Sequence, residues 1–150
     1  PDIRIKSQVF NFSLAPAQFA PISSMNLAFK TKIIPAFYFL LMGPQWGFDR
    51  FDDIWCGLFV KKICDHLGYS IVNGSPIIEH RKASIPNINE KKEEDGMNIN
   101  EALWKSIFSV SLTQMSVKDG YTKLVGEVNF PVLPYFEALK RAMNRWISFF

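Results

Sequence analysis

Apolar residues recur at helical spacing in four parts of the chain, and these recurrences predict its main elements. The clearest starts after Asp52 and Asp53, where Ile54, Trp55, Leu58, Phe59, Ile63 and Leu67 follow the i, i+3, i+4 pattern, with Lys61 and Lys62 on the other side. The two aspartates suit a helix N-terminus as caps and as charges, and Gly68 stands where a left-handed stop is expected. Leu103, Trp104, Ile107 and Phe108 predict a second helix from Asn100, and Tyr121, Leu124, Val125 and Val128 a short third one. Pro131 and Pro134 precede a last helix with Phe136, Leu139, Ala142, Met143, Trp146 and Ile147 as its apolar positions.

The extended elements are shorter. Ile3, Ile5 and Val9-Phe10 read as a strand followed by a loop with Pro16 and Pro21, and Met25 to Phe29 reads as a buried strand. Pro35 fits the first turn of a short helix, Ile34 to Leu41, that ends near Gly43-Pro44. Tyr69 to Val72 alternates like a strand, Asn73-Gly74-Ser75-Pro76 is a turn, and Ile77-Ile78 resumes an extended run that delivers Glu79-His80-Arg81-Lys82 to its end. Ala83 to Gly96 is polar, and in Glu90 to Asp95 acids and bases nearly cancel, which predicts a surface loop or a short solvated helix. The fold class is therefore α/β, a small mixed sheet with several amphipathic helices. So little sheet under so many helices suggests that part of the sheet lies in chain not present here.

Length and composition narrow the picture. At 150 residues, 48% of them hydrophobic and 21% charged, residues 1–150 make a single globular domain or part of one. The 15% aromatic content implies a large core or apolar surface meant for more protein, and Trp146, Phe149 and Phe150 at the end of the chain suggest a homo- or hetero-oligomer. A net charge of +3 is too small to argue for nucleic acid as a partner. The longest apolar run, Ile33 to Met42, is interrupted by Pro35 and is about half the ~20 residues of a transmembrane helix. No secretory signal is visible. Cys56 and Cys64 lie too far apart along one helix to bridge, so free thiols in a reducing, cytoplasmic compartment are expected.

Two clusters could carry chemistry: Asp52-Asp53, and His80 with Glu79, Arg81 and Lys82. Each has a plain structural reading, as capping carboxylates and as a surface histidine. They make joint sense beside a diphosphate, whose charge a carboxylate- and imidazole-bound divalent cation would neutralise while Arg81 and Lys82 clamp oxygens. His66, in the last turn of its helix, is read as structural, complementing the macrodipole, and the cysteines as packing residues.

The blocks Met25-Asn26-Leu27-Ala28-Phe29, Tyr38-Phe39 with Leu41-Met42-Gly43, Arg50 to Gly57, Lys62 to Gly68 and His80 to Pro86 resemble, in order and spacing, the reversibly glycosylated polypeptides, the UDP-arabinopyranose mutase family. The resemblance covers roughly residues 21 to 121. It implies the C-terminal portion of a GT-A-like glycosyltransferase domain, with residues 122–150 as a helical extension, and a UDP-sugar as partner. By it, Asp52 and Asp53 are the acidic pair at the acceptor sugar, with Asp53 the chemically important one. His80 is a ligand of a divalent metal, Mn2+ or Mg2+, Arg81 and Lys82 contact the diphosphate, and Ser24 and Asn26 line the sugar. Ser24 stands where family members commonly carry glycine, which obstructs a close backbone approach. The resemblance also implies a cytoplasmic protein, peripheral at most to Golgi-type membranes. The family's aspartate-rich metal motif, uridine-binding strands and glycosylated arginine lie N-terminal to the matched region, and no Asp-x-Asp occurs in this sequence. The chain is thus expected to be the acceptor-side part of such an enzyme, or a non-catalytic interaction subunit derived from one.

Overall fold

The computed structural model describes residues 11–19, 21–75 and 86–150. Its regular elements are strand β1 (Phe12–Ser13), two 3-10 helices (Thr31–Ala36 and Pro44–Trp46), helix α1 (Asp52–His66), strand β2 (Val72–Asn73) and helices α2 (Pro86–Ser109), α3 (Val117–Glu127) and α4 (Pro134–Ile147). The expected small sheet with several helices is present; among the described residues the sheet is one antiparallel pair, Phe12 opposite Asn73 and Ser13 opposite Val72, rather than a mixed one.

Helix α1 lies at the centre. Trp55, Leu58, Phe59 and Ile63 are buried as the periodicity requires, but so are Cys56, Gly57, Val60, Lys61 and Cys64, so the helix is covered on nearly every side. Lys61 was expected on a solvated face and is fully buried instead. Its ammonium donates to the Ala15 carbonyl, 2.7 Å away, and to the Asp65 carboxylate, whose second oxygen accepts the Ala17 amide at 2.8 Å. A buried ammonium is tolerable only with such partners. The helix ends as Gly68 predicts. With φ at +69°, Gly68 lets the Tyr69 amide return to the Cys64 carbonyl at 2.8 Å while its own amide reaches Asp65, a Schellman motif.

Four expectations change. The Ile34 to Leu41 helix is replaced by the Thr31–Ala36 3-10 helix, whose buried Ile33 and Ala36 are three apart, as that tighter coil requires; Pro35 supplies no amide and the chain leaves helical geometry at Phe37. Met25 to Phe29 forms no strand: a turn occupies Ser24 and Met25, and Met25 and Phe29 are exposed. Of the Tyr69 to Val72 strand only Val72 lies in β2, with the Ile71 carbonyl before it accepting the Leu14 amide at 2.9 Å. The polar run to Gly96 takes the helical one of its two readings, but not as a short separate element: from Pro86 it is continuous with the helix predicted from Asn100, a 24-residue rod. The strand at Ile77-Ile78, and that at Ile3 to Phe10, lie outside the described residues.

Helices α3 and α4 close the core. Ser116 caps α3 through its hydroxyl, which accepts the Asp119 amide at 3.0 Å. Tyr121, Leu124, Leu139 and Met143 are fully buried in one cluster with Trp55, Phe59 and Ile63, and the Trp146 indole donates to the Pro35 carbonyl at 3.1 Å. No helix among the described residues is long and apolar enough to cross a membrane.

Both cysteines are free and buried. Burial pushes the Cys56 thiol up to about 12, assisted by the negative charges of Asp53 and Asp52, and the Cys64 thiol up to about 11, assisted by Asp65. Burial raises Tyr121 and Tyr135 as well. An unfolded chain, whose thiols titrate near 9.0, therefore loses protons first. This contribution to stability is complete below pH 9 and is lost as pH rises through about 11 and then about 12. Urea unfolding between pH 8 and 11 is expected to give falling free energies, with a shallower alkaline slope in Cys56→Ala; a flat profile would contradict the burial.

Gly96 offers a second test. A Cβ there would stand 2.4 Å from the Phe51 ring, so Gly96→Ala is expected to destabilise by about 1–3 kcal/mol through overpacking. Pairing it with Phe51→Leu should cost less than the two single changes summed, because both act at one contact.

Candidate functional site

The acidic pair sits where the local sequence puts it. Phe51 is the residue before the first turn of α1, buried, with its carbonyl accepting the Trp55 amide at 2.9 Å; Asp52 and Asp53 follow as the first two helical residues. Neither carboxylate caps the helix by a side-chain bond, so the capping reading gives way to a charge reading: both lie in the positive field of the helix start. One oxygen of Asp53 accepts the backbone amide of Ser24 at 3.0 Å. Residues 29 positions apart are thereby joined, and the Ser24 turn, with Asn26 at its end, is seated over the mouth of α1. The field of the pair reaches the core beneath, where it helps hold the Cys56 thiol protonated.

Sequence reasoning placed Asp52, Asp53, Ser24 and Asn26 in one site. The fold brings Asp53 and Ser24 into direct contact, with Asp52 and Asn26 on the same two segments. His80, Arg81 and Lys82 lie outside the described residues. His66, set apart as structural, is about 20 Å along the α1 axis from Asp53. Its Nε2 is 2.7 Å from the Gln114 carbonyl, and with Lys62 and Asp65 it borders a separate cavity of about 450 Å³.

One wall of the site was not anticipated. Helix α2 crosses the start of α1, with Gly96 flat against the Phe51 ring. Around that contact Arg50 donates to Glu93 at 2.6 Å, Lys92 lies 3.3 Å from Asp49, and the Trp55 indole donates to Asn100 at 3.0 Å. Arg50 adopts a left-handed φ of +66°, which turns the chain into the helix. The run Glu90 to Asp95 thus supplies partners to the approach to the acids. The signal that could have revealed this is the lone glycine inside a run of helix-forming charged residues, since such a glycine often marks a close approach.

The chemistry open to this arrangement is that of fixed carboxylates: accepting from a sugar hydroxyl, or facing positive charge. Among the described residues no three His, Cys, Asp or Glu side chains converge as they would on a metal ion. The two aspartates therefore do not fit a complete metal site of their own.

With this geometry in place, comparison with known proteins is informative. A family model described as "Reversibly glycosylated polypeptide" matches residues 9–150. The chain is 44% identical over 134 residues to UDP-arabinopyranose mutase 1 of Arabidopsis thaliana, covering 85% of this chain and 38% of that protein. To UDP-arabinopyranose mutase 3 of the same plant it is again 44% identical, and to the probable UDP-arabinopyranose mutase 1 of Pisum sativum 41%, with 37% of each relative covered. It thus spans under two fifths of the length of these relatives. The match runs through the acidic pair, the Ser24 turn and α2 alike, and on it the chain belongs to the reversibly glycosylated polypeptide family.

Proposed function

We propose that this chain is the acceptor-side part of a nucleotide-sugar enzyme of the UDP-arabinopyranose mutase or reversibly self-glycosylating type, built as the C-terminal portion of a GT-A-like domain. The observation that carries this reading is Asp53: a carboxylate at the start of a buried helix, with one oxygen tied to the Ser24 amide, in a chain similar to proteins named as mutases. The substrate is a UDP-sugar. As UDP departs, positive charge develops at the anomeric carbon, and the sugar is recaptured through another of its oxygens or passed to an acceptor. A carboxylate that is already oriented stabilises that charge without reorganising. The bond to Ser24 fixes the orientation of Asp53 and leaves its second oxygen for a sugar hydroxyl or the cationic carbon. Ser24 and Asn26 border the sugar, and Arg81 and Lys82 hold the diphosphate. A Mn2+ or Mg2+ ion with His80 among its ligands would supply charge neutralisation at the diphosphate, and its remaining donors would come from outside the described residues.

The test requires a protein that joins this chain to the part of the family it does not span. Asp53→Asn is expected to lower turnover by about 100-fold or more, with UDP-sugar binding changed by less than about three-fold. His80→Ala is expected to weaken manganese-dependent UDP-sugar binding several-fold. Full turnover in Asp53→Asn overturns the role of that residue, and metal-independent binding untouched by His80→Ala overturns the metal assignment.

A second reading, an interaction subunit, is supported by the surface around α4. Val132 is 99% exposed and Phe149 66%, with Leu133 and Phe150 also exposed. Light scattering after gel filtration is expected to give a mass above that of one chain, reduced by Phe149→Ser with Phe150→Ser; a strict monomer counts against this reading.

A further inference from the structure

The second half of α1 borders a groove. Val60 and Cys64 form its floor, Phe29 and Phe37 one wall, Tyr69 and Ile71 the other, and it encloses about 530 Å³, a size usual for small-molecule pockets. Cys64 is about 16 Å along the helix axis from Asp53, while Ile22, Leu27 and Ala28, which flank the Ser24 turn, also line the groove.

Its charge is one-sided. Among the described residues that line it, the charged ones are Lys30 and Lys32, with no aspartate or glutamate. Neither lysine forms an ion pair with a described residue. The Lys32 ammonium lies 3.7 Å from the centre of the Tyr69 ring, a contact that anchors the cation at the rim without neutralising it. The Cys64 thiol in the floor stays protonated at neutral pH and adds no negative charge. The walls have a shape preference as well. Phe29 and Phe37 are stacked, 4.2 Å between centres and 17° between planes, and Phe29 remains 47% exposed. A flat ring can extend that stack, whereas an inorganic anion would gain nothing from these walls and a neutral apolar molecule nothing from the lysines.

We propose that this groove binds a planar aromatic carboxylate, with its ring system against Phe29 and its carboxylate at the ammonium groups of Lys30 and Lys32. The proposal goes beyond the sugar chemistry and does not depend on it.

Calorimetric titration of the 150-residue chain with 2-naphthoate, and with the neutral analogue 2-naphthalenemethanol, tests it. Saturable one-to-one binding of naphthoate is expected, with the neutral compound about ten-fold weaker. Lys30→Met and Lys32→Met are each expected to weaken naphthoate by about three-fold or more and to leave the neutral compound unchanged. Phe29→Ser should weaken both, and Asp53→Asn neither. All three groove positions are exposed, so circular dichroism of the variants should match the parent. Absence of saturable naphthoate binding, equal binding of the two compounds, or indifference to both lysine changes overturns the proposal.

Discussion

The burial of α1 on almost all sides is the constraint from which the rest of the structure follows. A helix with one apolar stripe needs one neighbour; this one needs several, and receives the Thr31–Ala36 3-10 helix, α2 and α3 around it. The cost of the arrangement is a lysine in the interior. Lys61 is held by Asp65 and by the Ala15 carbonyl, and Asp65 in turn holds the Ala17 amide, so a buried charge fastens the stretch before Pro21 to the central helix. Removing Asp65 would leave the fully buried Lys61 ammonium with the Ala15 carbonyl but no counter-charge.

A helix enclosed along its length meets solvent chiefly at its ends, and the two ends differ in character. At the start, the positive dipole end carries Asp52 and Asp53, the Ser24 turn bonds to one of them, and α2 forms a wall through Gly96 and Asn100. Towards the other end, a Schellman stop turns the chain at Gly68 so that Tyr69 and Ile71 face the 3-10 helix across an apolar groove with a basic rim. The first end is acidic and polar, the other apolar and cationic. Family membership bears on the first; the second rests on this chain's own side chains.

The relation to the mutase relatives is also physical. What the chain shares with them is a stretch of 134 residues at 44% identity in the two Arabidopsis thaliana relatives. Asp53 derives its value from being held, and the Ser24 amide holds it whatever side chain Ser24 carries. The Ser24 side chain takes no part in that backbone bond, and its bulk bears only on the space above the turn.

Much of this was legible from local pattern. The limits of α1, the existence of α3 and the proline start of α4 follow from 3.6-residue periodicity and from Asp, Pro and Gly at helix ends, because those effects act within one or two turns; the Ser116 cap of α3 was not read. The acidic pair was legible for the same reason. Tertiary structure decided the rest. Whether Lys61 faces water depends on what covers α1, and Met25 to Phe29 is as apolar as a strand but has no partner strand among the described residues. The polar start of α2 has no periodic apolar stripe, and is seated on α1 by a glycine that fits one phenylalanine ring. Above all, the pairing of Ser24 with Asp53 joins segments 29 residues apart, and a hydrogen bond of that reach leaves no trace in the local spacing of residues.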